Sequence, residues 1–219
     1  MHGVSQIRKL DPSNPSSVLD SFDLPNKYFG EGITVFQDKD KNDRLIQLTW
    51  KEKTGFIYDM DLNLLDTFSY ETTTNEGWGI TYDKYNEEFI VSDGSHFLHF
   101  WDRDTLKEKR KIPVYAIQDE SSEKMRVAWL NELEVVQFEE NGRAKSLILA
   151  NVYGEDILLQ LNPQSGELTQ VYDFTELYPR QGNEDVFNGV SISGEGPEVV
   201  FVTGKNWPYM YKVKLNSFI

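Results

Sequence analysis

Short strand-like runs, turn residues between them, and an opening motif that returns about every 45–60 residues predict an all-β chain folded as a five-bladed β-propeller. The runs are rich in Val, Ile, Phe, Tyr and Thr and are bounded by Gly, Asn, Asp or Pro, while helical periodicity is scarce. A chain of 219 residues suffices for one such core, so a single propeller domain is expected over residues 1–219.

Ser5 to Leu10 and Val18 to Leu24 read as the third and fourth strands of a partial blade at residues 1–25, joined by the turn Asp11-Pro12-Ser13-Asn14-Pro15. A complete blade at about 29–70 opens with Gly30-Glu31-Gly32-Ile33-Thr34, continues through Arg44 to Trp50 and Thr54 to Asp59, and closes with Leu64 to Phe68. The next, about 76–116, repeats that grammar as Gly77-Trp78-Gly79-Ile80-Thr81, Phe89 to Gly94, Phe97 to Asp102 and Lys109 to Val114. A third, about 125–175, runs through Leu130-Asn131-Glu132-Leu133-Glu134, Leu147 to Asn151, Asp156 to Asn162 and Leu168 to Tyr172. The fourth, about 186–216, has three strands: Asn188 to Ser191, Val199 to Gly204 and Tyr209 to Leu215. The count is four blades and half of a fifth. Two opening strands and one closing strand are therefore expected either to lie before this sequence or to be replaced by another form of ring closure.

Lys and Arg total 22 against 36 Asp and Glu, a formal charge of −14, which argues against nucleic acid or an anionic membrane as partner. With no Cys, disulfides, thiolate zinc sites and Cys nucleophiles are excluded. A three-histidine metal site would need His2, His96 and His99 all to converge, and the last two, three apart on a strand, should face opposite ways. No metal and no cofactor are expected. No apolar stretch approaches the ~18 residues of a membrane span, and Met1 to Arg8 has no apolar signal region, so no compartment is indicated. A monomer is expected.

Several motifs dissolve on inspection. Asp38-Lys39-Asp40-Lys41-Asn42 starts like a calcium loop, but Asp43 stands where Gly is needed and Thr49 where the bidentate Glu belongs, so it reads as a charged hairpin tip. Gly194-Glu195-Gly196 lacks the third Gly and following helix of a dinucleotide fingerprint. Glu31, Trp78, Asn131 and Asn188 remain, each at the opening of an innermost strand near one mouth of the central channel. Glycines flanking Glu31 and Trp78 let the backbone crowd the axis while one side chain projects. Lys205, after a second strand, adds a cation. A Gly-Trp-Gly opening would also serve simply to wedge blades apart. A carboxylate such as Glu31 must be solvated, paired or functional.

The motifs Phe29-Gly30-Glu31-Gly32-Ile33-Thr34, Gln47-Leu48-Thr49-Trp50, Gly77-Trp78-Gly79-Ile80-Thr81, Ser92-Asp93-Gly94-Ser95, Leu130-Asn131-Glu132-Leu133-Glu134, Ala150-Asn151-Val152-Tyr153, Asn188-Gly189 and Thr203-Gly204-Lys205-Asn206-Trp207-Pro208 occur in one order along the chain. Together they resemble the plant and bacterial type of glutaminyl cyclase, a family of five-bladed propellers. The resemblance implies conversion of an N-terminal glutamine to pyroglutamate with release of ammonia, on peptide or protein substrates and without catalytic zinc. It implies Glu31 as general acid/base, with Trp78 and Asn131 lining the substrate pocket and Lys205 close by; the chemistry then suits Asn131 to fixing the γ-carboxamide, and Lys205 either to steadying the oxyanion or to orienting Glu31 or a peptide carbonyl. Trp78, Trp50, Phe29 and Tyr153 would bind the substrate. Tyr153 stands where the family has Trp, and the family's opening strand with Phe-Thr-Gln-Gly has no counterpart before Gly3. A non-catalytic propeller that binds peptide N-termini or a protein partner, inactive for want of that strand, is the alternative.

Overall fold

The computed structural model describes residues 5–118, 123–179, 185–216 and 218, and no helix occurs among them. β1 (Gln6–Asp11) and β2 (Asn14–Asp23) form a hairpin. β3 (Gly30–Gln37), β4 (Asp43–Thr49), β5 (Thr54–Tyr58) and β6 (Leu64–Ser69) form an antiparallel meander. Two further meanders of the same order are β7 (Ile80–Asp83), β8 (Glu88–Val91), β9 (Phe97–Asp102) and β10 (Glu108–Pro113), then, after the hairpin β11 (Tyr115–Gln118) and β12 (Glu123–Arg126), β13 (Leu130–Glu140), β14 (Arg143–Val152), β15 (Ile157–Leu161) and β16 (Leu168–Asp173). A three-stranded sheet of β17 (Phe187–Ile192), β18 (Val199–Gly204) and β19 (Tyr211–Lys214) follows.

The sheets are arranged as a propeller, because alternate residues of each middle strand serve two different cores. Phe89 and Val91 of β8 pack with Ile46 and Leu48 of β4, whereas Ile90 between them packs with Ile148 and Ala150 of β14. Leu147 and Leu149, on the other face of β14, pack with Val200 and Val202 of β18. Such strands are buried on both faces, which is why they read as unbroken apolar runs. The β1–β2 hairpin covers the outer part of the first sheet, with Ile7 and Leu24 against Phe56, Tyr58 and Leu62. Each fully buried side chain of this size contributes about 1.5–3 kcal/mol.

One turn device recurs. At the end of the third strand of each complete sheet an Asx side chain accepts a backbone N–H two or three residues on: Asp59 from Asp61 at 2.9 Å, Asp102 from Thr105 at 2.9 Å, Asn162 from Gln164 at 2.9 Å. Asp11 at the end of β1 does the same with Ser13 at 2.8 Å. The Asp38 segment is a hairpin tip, as expected, with Asp38 Oδ1 accepting the N–H groups of Asp40 and Asn42 at 2.9 Å each.

The β11–β12 hairpin was not expected from the sequence. Its strands are four residues each, outside the repeat, and leave Ile117 and Met125 exposed. It is anchored through Tyr115, whose N–H donates to Gly166 O at 3.0 Å.

Candidate active site

The innermost strands β3, β7, β13 and β17 follow one another around the channel. Glycines set how closely they approach. Gly32 donates its N–H to Trp78 O at 2.7 Å, and Ser92 Oγ bridges Gly79 N–H at 2.8 Å and Asn131 O at 2.6 Å. A Cβ on Gly79 would overlap the carbonyl of Asn131.

Three of these strands slip register at the same level. The pairing shifts between Gly30 and Ile33, between Leu130 and Leu133, and between Phe187 and Val190. The residues released from the ladder are Glu31 and Gly32, Asn131 and Glu132, and Asn188 and Gly189. A bulge bends its strand and re-aims a side chain. A cavity of about 460 Å³ opens at this level, lined by Phe29, Gly30, Glu31, Glu132, Asn188, Lys205 and Asn206.

An aromatic arc borders the cavity. Phe29 meets Trp50 edge-on with ring centroids 5.9 Å apart. The indole N–H groups of Trp50 and Trp78 both donate to Glu76 Oε2, at 2.7 and 2.9 Å. Trp78 then meets Tyr153 at 5.6 Å, and Lys205 Nζ lies 5.3 Å from the Tyr153 ring centroid. Asn131 sits behind this wall, 2% exposed, and reaches the cavity through Asn188, to whose Oδ1 its Nδ2 donates at 3.2 Å. Asn131 Oδ1 is buried and accepts no hydrogen bond among the described residues. The two described histidines lie elsewhere. His99 is buried between Asp93 (3.3 Å) and Glu108 (2.5 Å), and His96 packs on Phe97. His2 is outside the described residues.

Enclosure makes carboxylates costly here. Burial raises Glu31 to about 7, opposed by the Lys205 charge and reinforced by Glu76. Burial raises Glu132 to about 8, with the like charge of Glu31 adding to it and Lys205 opposing. Glu134, two residues along β13, is raised by burial to about 7, against hydrogen bonds from Ile192 N–H and the Thr81 hydroxyl. Neither the Glu31 nor the Glu132 carboxyl makes a hydrogen bond or ion pair among the described residues, although the Glu132 N–H donates to Asn151 Oδ1 at 2.8 Å.

These shifts have a stability consequence with a definite sign. Carboxyls held above their unfolded values favour the folded state fully below about pH 4.5, and that contribution is lost as pH rises through about 7–8. The melting temperature should therefore fall between pH 5.5 and pH 9. Glu132→Gln should flatten that fall, and an unchanged slope would place the titration elsewhere, at His99 for example, which its bonds to Asp93 and Glu108 hold above the ordinary histidine range despite burial.

The glutamine cyclotransferase family model matches residues 1–215. The chain belongs to the glutamine cyclotransferase family. Within that family it is 31% identical to the glutaminyl-peptide cyclotransferase of Arabidopsis thaliana over 223 residues, covering 99% of this chain and 62% of the relative's length. The crystal structure of Myxococcus xanthus glutaminyl cyclase aligns with 95% of this chain and 81% of that one, with 28% identity and a TM-score of 0.75.

In this member of the family the cavity gathers Glu31, Lys205 and Phe29 directly, the arc adds Trp50, Trp78 and Tyr153, and Asn131 stands one residue back. Sequence reasoning passed over three neighbours. Glu132 was hidden because a bulge suspends strand alternation, so nothing in the sequence tells which of Asn131 and Glu132 turns inward. Glu76 directly precedes Gly77-Trp78-Gly79, and its acidity beside an indole was the available signal. Trp129, before Leu130-Asn131, packs on Trp78 at 6.1 Å.

Proposed function

We propose that this chain is a glutaminyl-peptide cyclotransferase that converts the N-terminal glutamine of peptides and proteins to pyroglutamate with release of ammonia. One observation carries the reading: two carboxyls and a lysine share a small cavity, none of them paired with another among the described residues, under an arc of aromatic rings. Groups left so are available to a substrate.

The reaction closes a five-membered ring. The neutral α-amine attacks the γ-carboxamide carbon, forming the new C–N bond, and the carbonyl π pair moves onto oxygen. Glu31 takes the proton the amine sheds. The oxygen's pair then re-forms the carbonyl as the C–NH₂ bond breaks, and Glu31 returns the proton to the departing nitrogen, so that ammonia leaves and the enzyme is restored. This is general acid–base catalysis by one group, suited to a carboxyl near 7. Lys205 steadies the oxyanion. Asn131 acts through Asn188, which lines the cavity and accepts its Nδ2–H, to hold the carboxamide in attack geometry. Trp50, Trp78, Phe29 and Tyr153 enclose the glutamine side chain, and the indoles attract the amine when it is protonated. Glu132, the second carboxyl of the cavity, stays protonated near neutral pH and supplies a hydrogen-bond donor there. No step draws on a metal.

The fold reading belongs here too. β1 and β2 act as the third and fourth strands of a fifth blade, supported by the Asx turn at Asp11 that matches those at Asp59, Asp102 and Asn162. Ile33 and Val35 of β3, 41% and 47% exposed, form the surface that the inner strands of such a blade would cover.

Incubation with glutaminyl-alanine amide should release one ammonia per peptide, with the peptide losing the mass of one ammonia. Folded protein that releases none would overturn the proposal.

A further inference from the structure

Trp129 is an exposed, rigidly mounted indole that no role in the ring closure requires. It is 58% exposed, yet its backbone is pinned on both sides: its N–H donates to Gly94 O at 2.9 Å and its carbonyl accepts from Tyr153 N–H at 2.8 Å. It also holds φ at 64°, a left-handed conformation that is uncommon for a bulky aromatic residue and is maintained only where the surroundings impose it. Its ring packs on Trp78, which in turn meets Tyr153. Half-buried Trp78 forms the inner wall, and Trp129 with Tyr153 (41% exposed) forms the outer flank of that wall.

We propose that Trp129, packed on the outer side of Trp78, forms a subsite for the side chain of the second residue of the peptide and favours a large apolar or aromatic group there. The inference rests on the cyclotransferase reading of the adjoining cavity. A first residue held beside Trp78 sends its chain toward the rim that Trp78 shares with Trp129. The next side chain then meets the surface continuous with Trp78. An indole fixed at its backbone and packed on a second indole offers area without the ordering cost of a mobile side chain, as binding surfaces for peptides do. Aromatic contact of this kind corresponds to a preference of about 3–10-fold.

The test compares glutaminyl-phenylalanine amide with glutaminyl-glycine amide. Ammonia release gives kcat and KM in the wild-type background, and calorimetric titration of Glu31→Gln gives binding without turnover. Expected is a preference of about 3–10-fold for the phenylalanine peptide, carried in KM and in the dissociation constant rather than in kcat. Trp129→Ala should bring the ratio near one, and Trp129→Phe should keep part of it. Trp129→Gly, which suits the left-handed backbone, should collapse the ratio equally, so that misfolding cannot account for the loss. Equal handling of the two peptides, or a preference that survives both Trp129→Ala and Trp129→Gly, would overturn the subsite. Failure of the parent reading looks different: no ammonia from either peptide, with the binding preference still present in Glu31→Gln.

Discussion

Glu31→Gln is expected to lower ammonia release by about 10²–10⁴-fold, the usual contribution of a positioned acid–base group. The substitution keeps the shape of the side chain and removes only its capacity to carry a proton between the two nitrogens. Fold should be unharmed, because a carboxyl raised to about 7 is one whose ionisation the folded state resists. At pH 8 the variant should melt no lower than the wild type. The pH profile gives a second check. The base form of Glu31 is lost as pH falls through about 7, and the substrate amine, ordinarily about 7.7–8.0, is protonated over much the same range. Wild-type kcat/KM should therefore fall steeply on the acid side, with both groups contributing. The residual activity of Glu31→Gln should retain only the amine's limb. A variant with wild-type rate, or with an unaltered two-group limb, would remove Glu31 from the chemistry.

Gly79→Ala should be the most damaging of the small substitutions. The added methyl would meet Asn131 O, Asn131 C and Glu132 Cα, all backbone atoms that no rotamer change can clear. The openings of β7 and β13 must move apart, and the Ser92 hydroxyl loses its bridge between Gly79 N–H and Asn131 O. Overpacking of this kind with a lost buried hydrogen bond costs about 3 kcal/mol. For a chain of this size that lowers the melting temperature by about 6–12 °C. Gly154→Ala is the control. Its backbone is left-handed, φ 91°, but nothing lies within 4 Å of the new methyl, so its cost is about 1 kcal/mol. Equal melting temperatures for the two variants would show that the inner strands yield readily. Gly79→Ala should also depress activity in any surviving fold, since the same displacement moves Asn131 and Glu132.

Much of the architecture was legible because it rests on local chemistry repeated. The alternating faces of β4, β8 and β14, the Gly-rich openings and the Asx turns each recur with the blade, so repetition made weak signals strong. The β11–β12 hairpin escaped because it stands outside the repeat and buries little. At the site, Glu31 was legible from its flanking glycines and Lys205 from its place after a second strand. Glu132 was not, since a bulge erases the period-two rule that would assign it a face. Glu76 serves two indoles from separate sheets, a convergence visible only in three dimensions. Trp129 depends on a backbone angle, and no composition or spacing reports that.

The three bulges separate two tasks that a regular strand must perform together. In an unbroken ladder every residue belongs to one face or the other, and exchanging one disturbs the packing between sheets. At Glu31, Asn131 and Asn188 the chain steps out of that bookkeeping, while Phe36, Val135 and Val202 on the same sheets keep their neighbours. The propeller is thus a rigid mount whose inward groups can be exchanged singly, and new chemistry at its axis requires no new core.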